Sequence, residues 1–393
     1  MESIHSGIVT LLKAAVTQQP QQLPGDFSLT QAMPLIKKHS LHSLACEGAI
    51  LCGVSMTDPM MPALMDGYGK NLLISEEQML AIAGIFEAFD RKGIDYLPLK
   101  GCAMKALYPK PELRVMGDAD ILIRLEQYPA IAELMEELGF EFKEESNHEY
   151  VWQRPQLYLE LHKCLIPSYN RDLYAYFGDG WPMARPENGH RYAMTPEITF
   201  IYLFTHFAKH YRDGGIGCRH VLDLWVYLRS HPELDLELIR AELHKLGLLT
   251  FFDNIRSLIA CWFEDGIPGE REEYLTQFLF SSGNWGEAEI HILSAEARHG
   301  RAAGSAAGGR LRSLGVALFP GKDAMVQQYE TVRKHPGLYP LFWPVRLCDI
   351  ALFRRSAIRA RKEKWKIASS ERLDAYRQSL AYVGLDPEYE KEP

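Results

Sequence analysis

The amino-acid sequence predicts an α+β protein: a small sheet with flanking helices, embedded between an N-terminal helical region and a larger C-terminal all-helical domain. Three observations carry that prediction. Apolar residues recur at helical spacing as far as Gly93. Between Ile94 and His162, short alternating runs rich in Ile and Leu replace that period. Beyond about Pro167 the helical spacing returns. The 393 residues suffice for two or three domains, at roughly one per 150 residues. The changes of period place the boundaries at 1–74, 75–166 and 167–393.

In the first region Ile8, Leu11 and Leu12, then Leu35, Ile36, Leu41 and Leu44, mark helices separated by a polar Gln/Pro stretch from Gln18 to Pro24. The next helix is expected from Ser75, with Glu76 and Glu77 in its first turn, to about Gly93. Residues Ile94 to Leu99 then read as a strand, Lys100-Gly101 as a turn and Cys102 to Tyr108 as a short helix. A second strand follows over Gly117 to Leu125, and a helix over Pro129 to Leu138 that Gly139 stops. Tyr150 to Gln153 and Leu157 to His162 form a hairpin through Arg154-Pro155-Gln156. From Pro167 on the reading is helical throughout, with Thr195-Pro196-Glu197 as a capped helix start. His299 to Gly309 reads as a loop, or equally as a helix extended by its alanines, and Glu388 to Pro393 as a frayed end.

Composition narrows the function classes. The 51 acidic residues against 43 basic ones leave a net charge of −8, so no global positive field draws the chain to nucleic acid or anionic lipid. The seven cysteines are scattered, odd in number and without CxxC spacing, which suits reduced thiols rather than a zinc knuckle or disulfide frame. No signal-like opening and no run of about 18 apolar residues is present, so the expected location is the cytoplasm without stable membrane insertion.

The sharpest local signal is Met116-Gly117-Asp118-Ala119-Asp120-Ile121-Leu122-Ile123. Alternate residues on a strand share a face about 6 to 7 Å apart, so the carboxylates of Asp118 and Asp120 can converge on one hard divalent cation. A solvated strand edge carries such a pair equally well. In Leu157-Tyr158-Leu159-Glu160-Leu161-His162, Glu160 and His162 also share a face. Were this strand beside the first, Glu160 would be a third acid able to polarise an attacking hydroxyl. Leu97-Pro98-Leu99-Lys100-Gly101 adds a strand-to-helix turn with a cation suited to phosphate.

These runs, with Leu107-Tyr108-Pro109, Arg114-Val115 and Leu138-Gly139-Phe140, resemble an uncharacterised nucleotidyltransferase family of the polymerase-beta-like superfamily. The similarity continues through Thr205-His206-Phe207-Ala208-Lys209-His210 and Arg219-His220-Val221-Leu222-Asp223-Leu224. The resemblance implies a small mixed nucleotidyltransferase-type sheet that binds Mg²⁺, or Mn²⁺ in its place, and a nucleoside triphosphate. It implies that Asp118, Asp120 and Glu160 bind metal and act in catalysis. Lys100, Gly101, Arg114, Gly117, His162, His206, His210, Arg219 and Asp223 would then surround the nucleotide. One departure is Lys100-Gly101, where the wider superfamily usually has Gly-Ser. The acceptor, whether a small molecule, a protein side chain or an RNA end, does not come with the family.

In the helical region His206 and His210 are four apart and share a helix face, so with Asp223 or His220 a metal-dependent hydrolase site can be drawn. The chain lacks the HExxH glutamate of zinc proteases. Alternatively His206, His210, Arg219 and Asp223 form a polar network facing the nucleotide, with Arg219 on phosphate and Asp223 orienting it. The basic segment Arg346 to Lys366 reads as an amphipathic helix, with a solvated face or a surface for RNA or anionic lipid. Trp181, Trp225, Trp262 and Trp285 read as core or cleft-lining groups. Expected from these readings is a Mg²⁺-dependent nucleotidyltransferase; the alternatives are a catalytically silent binding module of the same fold and the hydrolase.

Overall fold

The computed structural model describes residues 2–155, 157–283, 288–301, 319, 325, 329–347 and 369–385. It is an α+β protein, as the change of period predicts. Helices α1 (Ser3–Thr17), α2 (Leu29–Lys38) and α3 (His42–Leu51) open the chain, with Ile8, Leu11 and Leu12 fully buried. Helix α4 does not begin at Ser75. It runs from Met61 to Lys92, so position 75 is interior to it. Within it Gly67 lies where a Cβ would come 2.6 Å from His42 Cβ, so the glycine lets α3 and α4 approach closely. Gly93 ends α4 in the left-handed region at φ 71°, and Ile94 N–H closes the cap on Phe89 O at 2.9 Å.

The sheet strands are β1 (Tyr96–Leu99), β2 (Asp118–Ile123), β3 (Glu141–Glu145), β4 (Glu149–Arg154), β5 (Leu157–His162), β6 (Arg185–Asn188) and β7 (Arg191–Ala193). Between them lie α5 (Lys100–Met104), α6 (Tyr128–Glu137) and α7 (Arg171–Phe177). The strand order is β3-β4-β5-β2-β1-β7-β6. The sheet is mixed: β2 is antiparallel to β1 but parallel to β5. Strands β3, β6 and β7 were not expected, and the two last correct the reading of everything beyond Pro167 as helical. Their sequences, Glu-Phe-Lys-Glu-Glu and Arg-Pro-Glu-Asn among them, carry no apolar alternation, because β3 and β6 are exposed throughout and each pairs with a single neighbouring strand. The turn at Lys100-Gly101 is the first turn of α5, which a 3₁₀ turn over Lys105–Leu107 continues.

The period of two decides what each sheet face meets. Ala119, Ile121 and Ile123 of β2 and Leu157, Leu159 and Leu161 of β5 bury against Ile82, Ile85 and Phe89 of α4 and Ile131 and Met135 of α6. The alternate residues, Asp118, Asp120, Glu160 and His162, therefore face the other way, towards the helical part of the chain.

That part comprises α8 (Pro196–Asp213), α9 (Cys218–Ser230), α10 (Leu236–Lys245), α11 (Leu249–Phe263), α12 (Glu270–Ser282) and α13 (Ala288–Arg301). The predicted cap of α8 is present: Thr195 Oγ1 accepts from Ile198 N–H at 3.3 Å, with Pro196 in the first turn. One apolar cluster joins α1–α3, Leu97, Leu99 and Leu122 of the sheet, and α8–α12, so the N-terminal and C-terminal helices share a core. Trp225 and Trp262 belong to it, and Trp181 packs under Arg124, whose Cζ lies 4.1 Å from the ring centre. A helix at Ser370–Tyr382 lies against α13, and its Tyr376 hydroxyl donates to Arg212 O. Trp285, residues 302–309, the basic segment from 348 to 366 and the end at 388–393 lie outside the described residues. No described helix is long and apolar enough to cross a membrane.

Candidate active site

The site begins where β1 becomes α5. Leu99 pairs with Asp120 across the antiparallel ladder, so the next residue, Lys100, emerges beside that aspartate. Lys100 takes φ 39°, a conformation that costs a non-glycine residue about 1–2 kcal/mol. Its Nζ lies 2.6 Å from Asp120 Oδ1, with Asp120 only 2% exposed. Strain of this kind persists where surrounding contacts over-determine it.

On the next strand pair Asp120 stands opposite Glu160, and Asp118 opposite Tyr158. His162 Nε2 lies 2.9 Å from Asp120 Oδ1 and 3.4 Å from Glu160 Oε2. Burial raises the Asp120 carboxyl, but the Lys100 charge and the His162 hydrogen bond outweigh it and hold the group well below the usual range. Asp118 has no such partner. Burial, then Asp120 and Glu160, push it up to about 7. For His162 burial and Lys100 act downward, yet hydrogen bonds to Asp120 and Glu160 leave the imidazole raised. Among the described residues Asp120, Glu160 and His162 bring three ligand atoms within 4.8 Å of one another, a donor set that fits a divalent ion.

The loop before β2 is held by its carbonyls. Lys105 Nζ donates to Arg114 O at 2.9 Å, Arg219 to Val115 O at 2.8 Å, and Gln78 to Met116 O at 3.1 Å. Three consecutive peptides are thus fixed from three elements. Gly101 packs beneath this loop, where a Cβ would sit 2.7 Å from Met116 Sδ. The Arg114 guanidinium makes two 3.0 Å hydrogen bonds to Asp223, whose Oδ1 also accepts from Tyr108 at 2.7 Å. Asp223 therefore grips Arg114, where the sequence suggested that it orients Arg219.

Helices α8 and α9 form the opposite wall. His206 and His210 touch through Nε2 atoms 3.0 Å apart. Burial, then the Lys100 charge for His206 and the Lys209 charge for His210, keep both imidazoles well below their ordinary value. No His/His/Asp metal cluster forms with them among the described residues, because Asp223 is committed to Arg114 and Tyr108. Lys209 is 8% exposed and makes no hydrogen bond or ion pair among the described residues; burial and Lys100 pull its ammonium down to about 8.

A cleft of about 530 Å³ lies between sheet and helices, and Lys100, Gly101, Arg114, Gly117, Asp118, Asp120, Glu160, His162, His206, His210, Arg219 and Asp223 all line it. Every residue singled out from the sequence for the site is thus in one place. Lys209, His148, Glu149 and His291 line it too and were not singled out. For Lys209 the signal was available, since it lies one residue before His210 on the same helix; Glu149 opens β4 and His148 lies in the turn just before it, where alternation gave no sign. The helical wall opposite the acids carries the cations Lys209 and Arg219.

A family described as an uncharacterised nucleotidyltransferase matches residues 26–264, which include the sheet strands and helices α8 and α9 that line the cleft. No curated protein and no solved structure matches the chain. The match covers more than half of the sequence and includes the Asp118 and Glu160 strands and helices α8 and α9; the chain belongs to this family.

Proposed function

From this family membership we propose that the protein is a divalent-metal-dependent nucleotidyltransferase, moving a nucleoside monophosphate from a nucleoside triphosphate to an acceptor and releasing pyrophosphate. The observation that carries the reading is the parallel register of Asp120 with Glu160, which turns Asp118, Asp120 and Glu160 towards a basic wall. Three acids in a half-buried cleft repel one another, and a cation relieves that repulsion.

Asp118, Asp120 and Glu160 would hold Mg²⁺ or Mn²⁺, which supplies Lewis-acid charge to the transferring phosphoryl. Lys100, Lys209 and Arg219 neutralise the phosphates, and the paired Arg114 and Asp223 keep the loop before β2 in place. The one-turn α5 contributes little dipole, so side chains carry this task. Glu160 accepts the proton of the attacking hydroxyl, and pyrophosphate leaves on the opposite side. A 530 Å³ cleft falls within the range of about 300–1,000 Å³ for small-ligand sites, which favours a small acceptor or the end of a chain. Six free cysteines among the described residues support a cytoplasmic location.

A second reading, a nucleotidyltransferase fold that binds without catalysing, is supported by one observation: Lys100 and His162 both engage Oδ1 of Asp120. One experiment separates the two. Calorimetry with nucleoside triphosphates and Mg²⁺, followed by a labelled-nucleotide screen over acceptors, is expected to give metal-dependent binding and transfer that Asp118→Ala/Asp120→Ala abolishes. Binding with no transfer to any acceptor supports the silent module. No binding at all removes the nucleotidyltransferase reading.

A further inference from the structure

His162 lies at the corner of two carboxylates. We infer that it is a nitrogen ligand to the ion, and that the site consequently prefers a first-row transition ion such as Mn²⁺ over Mg²⁺. The inference rests on the proposed metal dependence, but names a ligand and an ion class that this dependence does not require.

The three donor atoms lie within 4.8 Å of one another, and two of the separations are close to those of neighbouring ligands, with Nε2 giving up the proton of its hydrogen bond to Asp120 when an ion binds. Neighbouring corners of an octahedron about 2.1 Å in radius lie about 3.0 Å apart. His162 Nε2 stands 2.9 Å from Asp120 Oδ1 and 3.4 Å from Glu160 Oε2. All three donors come from backbone-fixed strands: His162 and Glu160 share one face of β5, and Asp120 faces Glu160 from β2. His162 is 3% exposed, and its Nδ1 has no hydrogen-bond partner among the described residues. Its polar contacts are thus made through Nε2 with the carboxylates. Lys100 Nζ lies 2.6 Å from the same Asp120 oxygen, so an ion entering this corner takes over a position where positive charge already sits and displaces that ammonium.

Chemistry then selects the ion. Mg²⁺ takes oxygen ligands and gives up water reluctantly, whereas imidazole is a good ligand for borderline first-row ions. Mn²⁺ accepts imidazole and remains hard enough for carboxylate and phosphate oxygens. A corner of two carboxylates and one imidazole discriminates between these ions.

The test uses the full-length chain. Mn²⁺ binding is followed by electron paramagnetic resonance, with Mg²⁺ as competitor and with a nonhydrolysable nucleoside triphosphate present. Electron-spin-echo modulation then reports directly coordinated ¹⁴N. The expected result is at least tenfold tighter binding of Mn²⁺ than of Mg²⁺, with ¹⁴N modulation that His206→Gln retains and His162→Gln loses. Labelling histidine with ¹⁵N in the unmutated chain must convert the signal to ¹⁵N, which keeps the test open should His162→Gln fold poorly. Bound Mn²⁺ without histidine modulation, or equal affinity for both ions, overturns the inference while leaving the nucleotidyltransferase reading intact. Absence of any bound ion overturns both.

Discussion

Asp120 on β2 and Glu160 on β5 stand directly opposite each other in a parallel strand pair. That register brings acids from two chain segments onto one face, with Lys100 2.6 Å from the first of them. If Glu160 takes the acceptor's proton as well as holding the ion, Glu160→Gln lowers nucleotidyl transfer by about 10²–10⁴-fold, a larger loss than the one it causes in metal-dependent triphosphate affinity. Steady-state rates beside calorimetry check this. A loss of affinity matching the loss of rate would instead give Glu160 a binding role alone.

Asp118 makes the stability of the ion-free protein depend on pH. Its folded-state pKa is about 7 against a usual 3.8, through burial and then repulsion from Asp120 and Glu160. Between these values the folded chain holds a proton that the unfolded chain has released, so this group's contribution to stability falls as pH rises. Asp118→Asn is expected to remove that part of the slope. Melting temperatures from pH 4 to 7.5 for both proteins check it, and parallel curves would refute it. Ion affinity should also drop as pH falls below about 7, since the ion and the proton compete for the carboxylate.

Asp223→Ala is predicted to destabilise the fold by about 3–5 kcal/mol, the usual consequence of leaving one member of a buried ion pair unpaired. Arg114 would lose both 3.0 Å hydrogen bonds and Tyr108 its acceptor. The double replacement Arg114→Met/Asp223→Leu should recover much of that loss, because no buried charge is stranded. Urea unfolding of the two variants beside the unaltered protein measures both quantities. A single and a double variant of equal stability would show that the pair contributes through shape and not charge.

Lys209 faces the cleft with no ion-pair partner among the described residues, and Arg219 has its Nε buried without one. Lys209→Met should weaken triphosphate binding about ten- to hundredfold, as a charged hydrogen bond of roughly 1.5–3 kcal/mol implies. It should also raise the melting temperature of the free protein, since a desolvated ammonium disappears. Calorimetry with a nonhydrolysable analogue and a thermal scan separate these effects. Unchanged affinity would move the phosphates away from α8.

Much of the fold could be read from local pattern. Thr195-Pro196 announces the start of α8, and Gly93 and Gly139 announce the ends of α4 and α6, because cap chemistry and left-handed backbone are written in single residues. Strands β3 and β6 could not be read in this way. Both are exposed along their whole length, so no burial imposes alternation on their side chains. The start of α4 was missed for a different reason: Ser75-Glu76-Glu77 has the residue types of a cap and first turn, yet these residues lie inside a helix that begins at Met61.

The site divides along the same line. Sequence by itself determined the residue types and their faces, since spacing of two on a strand puts Asp118 with Asp120 and Glu160 with His162 whatever surrounds them. Tertiary structure alone decided the partners: that Glu160 meets Asp120, that Lys100 and His162 share one oxygen of that aspartate, and that Asp223 holds Arg114 instead of Arg219. Those choices depend on which strands lie side by side and which helix covers them, and a period along one segment carries no information about its neighbour.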